Sequence, residues 1–108
     1  MSYRIVYSEK ARQDVRSIYE YIAYELLAKE NAENQVKRII DIIRTLEYMP
    51  MRHRLYEEEP WHSQGMRFLP IDNYLVFYLP DEALNSVYII RIMYAGRNIH
   101  EQLENDKE

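Results

Sequence analysis

Eight side chains have the types and the positions to do chemistry: Arg52, His53, Arg54, Arg67, Arg91, Tyr94, Arg97 and His100. Arg67 and Arg97 fall at or beside the ends of expected strands, where a fixed guanidinium can meet a phosphate with two parallel N–H donors. His100 follows Arg97 by three residues, and an imidazole there can give or take a proton near neutral pH. Tyr94 can stack on a base or donate a proton. Cutting RNA without a metal needs a base for the 2′-hydroxyl, cations for the scissile phosphate and an acid for the leaving oxygen. This set contains each of those types.

Each residue also has a plainer reading. Arg67 can pair with Asp72 or with a glutamate of the run Glu57-Glu58-Glu59. His53 and His62 sit in a segment without periodicity, where solvated histidines are ordinary. His100 fits equally well as a structural residue of a short terminal helix. The three histidines show no ligand spacing and there is no cysteine, so neither a metal site nor any other cofactor is expected.

The elements that must position these residues can be read from periodicity. Residues 3–7, YRIVY, predict a short strand, and Ser8 stands where a helix cap belongs. Ala11, Val15, Ile18, Tyr19, Ile22 and Leu26 mark one helical stripe, with Arg12, Asp14, Arg16 and Glu20 largely off it. Asn31 is placed to cap a second helix, whose apolar face is Ala32, Val36, Ile39, Ile40, Ile43 and Leu46; Pro50 ends it. Residues 51–64 have no period and read as a long loop, a type of segment that often carries function. Tyr56 and Trp61 within it could anchor a partner or pin the loop down. Three strands follow, about 66–70, 73–79 and 87–94. The second is almost continuously apolar, as suits a central strand covered on both faces. Strict alternation in the third sets Tyr88, Ile90, Ile92 and Tyr94 on the core face and sends Arg91 to the other side or to a margin. Asn98 can cap a last turn of helix over 98–103, and residues 104–108 should fray.

The order β-α-α-β-β-β predicts an α+β two-layer domain spanning residues 1–108, with a helical hairpin on a mainly antiparallel four-stranded sheet and the first strand added at an edge. The chain has 108 residues, 47% hydrophobic and 30% charged, with net charge −4. Four of its 18 acidic residues lie in the last eight positions, and no segment is a basic patch, which counts against tight unassisted nucleic-acid binding. No apolar run is long enough for a membrane span or a signal peptide, so a cytoplasmic protein is expected. Eleven tyrosines suit a half-buried sheet or an interface.

Three segments, SEKARQDVRSIYEYI, GMRFLPIDNYLVFYLP and VYIIRIMYAGRN, resemble the RelE/ParE superfamily of toxins from bacterial type II toxin–antitoxin modules. With the helix between them, the resemblance covers nearly the whole chain. It implies growth arrest by one of two routes: ribosome-dependent mRNA cleavage by a metal-independent endoribonuclease, as in RelE-like members, or poisoning of DNA gyrase, as in ParE-like members. An inactive member that only binds its partner is a third reading. The implied partners are a cognate antitoxin, which wraps and neutralises the toxin in a higher-order complex, and either the ribosome with mRNA or gyrase. The long helical hairpin and the Leu-Pro-Ile-x-x-Tyr-Leu pattern look closer to the ParE branch. Where RelE-like nucleases place an arginine in the central strand, the matching position here is Leu75. On the nuclease reading Arg67, Arg97 and His100 are catalytic, with Arg52, Arg54, Arg91 and Tyr94 binding the target. The Gly-Arg after the last strand makes Arg97 the strongest of these candidates.

Overall fold

The computed structural model describes residues 2–96 and 98–105. Strand β1 is Arg4–Tyr7, and Ser8 then caps helix α1, Glu9–Glu20, its hydroxyl accepting the Ala11 N–H at 3.0 Å. The helix runs on into a π-helical turn, Tyr21–Glu25, and helix α2, Lys29–Arg44, returns antiparallel to it. Helix α2 thus begins two residues before Asn31, and no side chain caps it. Leu26, expected on the buried stripe, is 55% exposed: it closes the π turn, its N–H donating to the Tyr21 carbonyl at 3.1 Å, and lines an open groove. Pro50 stops the hairpin as expected: Met49 before it adopts left-handed angles, and the chain continues as a short 3-10 turn, Pro50–Arg52.

The segment read as a loop is more ordered than its lack of period suggests. Leu55 bridges to Arg67, the Phe68 N–H donates to the Arg54 carbonyl at 3.0 Å, and Trp61–Gln64 form a one-turn helix, α3. Strands β2 (Arg67–Ile71), β3 (Tyr74–Asp81) and β4 (Ser86–Tyr94) form the expected antiparallel meander. The sheet order is β1-β4-β3-β2, with β1 at the edge and parallel to β4. After β4, Asn98 caps helix α4, Ile99–Asn105, its side-chain oxygen accepting the Glu101 N–H at 3.2 Å.

Two apolar layers flank the sheet. On the hairpin side Ala11, Ile39, Ile43 and Leu46 pack on Leu69, Ile71, Val76, Tyr78, Val87, Ile89 and Ile92. On the opposite side Trp61, Met66 and Leu103 pack on Phe77 and Met93, so α3 and α4 close a face that the hairpin leaves open. Val76, Phe77 and Tyr78 of β3 are fully buried between the layers, as its unbroken apolar run implied.

Strand β4 departs from strict alternation. Phe77 pairs with Arg91 and Tyr78 with Ile89, which leaves Ile90 as an extra residue in a bulge. The bulge resets the face: Val87, Ile89 and Ile92 share the hairpin-side core, while Ile90 and Met93 lie on the other. Arg91 therefore turns toward α1, at the margin of the hairpin-side core where it lines a groove, and not to the opposite face.

Candidate functional site

Strand β1 covers β4 only from Ser86 to Ile89, and from there the first turns of α1 stand in for a strand. The Ser8 hydroxyl donates to the Ile90 carbonyl at 2.8 Å, and the Asp14 carboxylate accepts the Ile92 N–H at 2.8 Å. The same carboxylate takes Arg91 Nε at 2.7 Å and Nη2 at 2.9 Å. Only 14% of each of these two side chains is exposed, so the pair is close to buried. Asp14, expected largely off the apolar stripe of α1, is only 14% exposed. Its spacing from Ala11 and Ile18, three and four residues, was the signal that it shares their stripe.

Beyond this staple, the tips of α1 and α2 and the ends of β3 and β4 enclose an open groove of about 940 Å³. Its floor includes Ile18, Ile22 and Ile92, and its rim carries Tyr21, Tyr74, Tyr94 and the amides of Asn31, Asn34, Gln35 and Asn73. Among the described residues, the ionisable lining groups other than tyrosines are Asp14, Arg38 and Arg91. Both guanidinium groups are engaged: Arg91 by Asp14, and Arg38 by Asp72 at 2.9 Å, with Gln35 on the same carboxylate. These hydrogen bonds hold the Asp72 carboxyl below the usual carboxylate range. Tyr94 stands edge-on to Tyr74, ring centroids 6.0 Å apart, and is 49% exposed. Next to the groove, Tyr24 and Leu27 at the hairpin tip are 65% and 86% exposed.

The remaining candidates fall in two other places. At the far end of the sheet, on the hairpin side, Arg67 Nη1 donates to the His53 carbonyl at 2.7 Å, and not to Asp72 or a loop glutamate. Arg52 spends its guanidinium on the Tyr48 and Met49 carbonyls and on Thr45 Oγ1, closing the end of the hairpin. The His53 ring lies edge-on to Tyr78, and its buried Nε2 has no hydrogen-bond partner among the described residues. Burial, then the charges of Arg52 and Arg67, push its pKa down, so this imidazole is held neutral. Tyr78 donates to the Pro50 carbonyl at 2.6 Å, and burial raises its hydroxyl to about 12.

On the opposite face Arg54 lies 5.8 Å above the Phe68 ring and 3.6 Å from Glu57, both ends of that pair being well exposed. His100 is there too, edge-on to Trp61. Its Nδ1 lies 3.0 Å from Glu58, but that atom has no hydrogen bond of acceptable geometry among the described residues. Trp61 is 7% exposed and pins the loop down. Leu75 packs with this aromatic cluster.

The structure thus brings Arg91 together with Tyr94, and Arg52 with His53 and Arg67, while Arg54 and His100 stand on the other side of the sheet. Arg67 and Tyr94 are at opposite ends: Tyr94 pairs with Tyr74, which pairs with Ile71, and the four steps from Arg67 to Ile71 span roughly 13 Å. Arg97 lies outside the described residues. Among the described residues, no place combines free cations with an accessible acid and base.

A sheet of order β1-β4-β3-β2 under a helical hairpin is the architecture of one class of small bacterial toxins. Residues 5–99 match the model of the ParE toxin of the type II toxin–antitoxin system parDE, and the chain belongs to that family. Solved structures with the same fold include the chromosomal ParDE toxin–antitoxin system from P. aeruginosa, with TM-score 0.72 and 20% identity over 86% of this chain and 96% of that one. The toxin–antitoxin complex RelBE2 from Mycobacterium tuberculosis aligns with TM-score 0.64 and 17% identity, covering 87% and 99% of the two chains. A mutant of E. coli toxin RelE in the free state gives 0.59 and 12%, with full coverage of both. No curated protein sequence matches the chain. The protein is a type II toxin of the RelE/ParE superfamily.

Proposed function

We propose that the protein arrests growth by binding DNA gyrase through the groove at the hairpin tip, without catalysing a reaction, and that a cognate antitoxin neutralises it by direct binding. The observation that carries this reading is the character of the groove. Among the described residues its two guanidinium groups, Arg38 and Arg91, are already held by carboxylates, and its rim offers amides and tyrosines, which suits a protein surface. Tyrosines are among the residue types from which protein partners gain most of their binding energy. The scatter of Arg54, Arg67 and His100 over separate places supports the same choice, and ParE-like toxins are gyrase poisons by resemblance. Arg97, next in sequence after Gly96, and Tyr94 are assigned to target contact. The exposed Tyr24 and Leu27 at the hairpin tip are assigned to the antitoxin.

The test is induction of the protein without antitoxin while labelled thymidine and labelled amino acids are followed together. Early loss of thymidine incorporation, with protein synthesis failing later, is expected. Early loss of protein synthesis with messages cut on ribosomes would instead establish mRNA cleavage, and Arg67 with His53 would become the place to look.

A further inference from the structure

Tyr94 ends β4 with its ring half exposed at the rim of the groove, and a tyrosine there would ordinarily move freely among rotamers. This ring has two close neighbours. Tyr74 meets it edge-on at 6.0 Å, and it also lies beside the backbone of Gly96. A Cβ at position 96 would stand 2.5 Å from Tyr94 Cε2, 3.2 Å from Cδ2 and 3.3 Å from Cζ. The first of these distances is closer than carbon atoms can approach without displacement. The ring occupies this position because residue 96 has no side chain. The demand for glycine is contact with one ring, since Gly96 does not adopt the left-handed backbone angles found at Gly65.

We propose that Gly96 is a positioning residue, which fixes the Tyr94 ring as a preformed contact between the toxin and its target. This rests on the assignment of the groove rim as the target-facing surface. The atom that a methyl group at 96 would strike is the far end of an exposed side chain. The ring can therefore swing into solvent, and the fold keeps its core. What is lost is preorganisation: the displaced tyrosine must be reordered on binding, or contributes no contact. A well-placed interface tyrosine commonly carries enough affinity that losing it weakens binding by about tenfold or more.

A double-mutant cycle in cells tests this, using Gly96→Ala, Tyr94→Ala and the two together, each under a graded inducer and without antitoxin. Gly96→Ala should need about tenfold more toxin for arrest. Its melting temperature should stay near that of the parent, and NMR contacts between the Tyr74 and Tyr94 rings should disappear. In the Tyr94→Ala background, Gly96→Ala should change nothing further, as residues that act through one another are not additive. The proposal is overturned if Gly96→Ala arrests growth like the parent, if its effect persists undiminished without the Tyr94 ring, or if it fails to fold. Arrest is read whatever the target, so the cycle can fail while the gyrase assignment stands. A purified gyrase insensitive to the parent protein would remove that assignment and leave the cycle's result intact.

Discussion

Asp14 accepts from three donors, Arg91 Nε, Arg91 Nη2 and the Ile92 N–H, and replacing it is the sharpest test of how α1 is fixed to the sheet. Asp14→Ala takes this carboxylate from Arg91, whose side chain is 14% exposed, and from the Ile92 N–H, on a residue 2% exposed. Removing one partner of a buried ion pair costs about 3–5 kcal/mol. With a seventh of each side chain still open to water, about 3 kcal/mol is the reasonable expectation here. A chain of 108 residues has an unfolding entropy of roughly 0.23 kcal/mol/K, so the midpoint should fall by about 13 °C. Thermal and urea unfolding followed by far-ultraviolet circular dichroism measure both quantities. Asp14→Asn keeps an acceptor for the Ile92 N–H and should lose roughly half as much. Replacing the pair together, Asp14→Leu with Arg91→Met, should recover most of the loss, because no charge is then stranded. A loss below about 1 kcal/mol for Asp14→Ala would show that water screens this pair as it does surface pairs. The α1–β4 staple would then not hold the bulge.

Three further outcomes follow from the two layers. Tyr78→Phe removes a bond to a buried carbonyl and should cost about 1–2 kcal/mol. The Tyr78 hydroxyl is raised from 10 to about 12 in the folded state, so its stabilisation is complete below pH 10 and fades as pH rises toward 12. Stability titrations should show a shallower alkaline limb for the Phe variant. His53 has the opposite sign: with its folded pKa depressed below 6.5, its contribution is complete above that pH and is lost as pH falls, so His53→Phe should flatten the acid limb. Leu103→Ala opens a cavity in the layer that α4 closes and should cost about 2–4 kcal/mol. Because Trp61 is the single tryptophan and packs in that layer, its fluorescence should shift to the red in the same variant.

Much of the fold could be read in the sequence because its helices and strands obey simple periods. Ala11, Ile39, Ile43 and Leu46 are buried where the helical stripes placed them, and β3 is sandwiched as its apolar run required. What escaped was set by tertiary geometry. The bulge at Ile90 has no local signature, yet it flips every later residue of β4 and turns Arg91 toward Asp14. The order within 51–64 comes from edge pairing at Leu55 and from burial of Trp61, neither of which has a period. The candidate arginines were identified by type and by strand ends. A sheet has two ends and two faces, and sequence alone does not say which of them a residue shares with another. In the sequence Gly96 stands only as part of a motif; its contact with Tyr94 depends on a rotamer that no sequence pattern states.

Gyrase binding without catalysis is the role proposed above for this toxin. It is tested most directly by adding the purified protein to DNA gyrase, supercoiled plasmid and ATP, then scoring supercoiling and covalent gyrase–DNA breaks after denaturation. Loss of supercoiling with accumulation of trapped breaks is the expected result, weakened in parallel by Tyr94→Ala and Arg97→Ala. Undisturbed gyrase at toxin concentrations that cut ribosome-bound mRNA would contradict it.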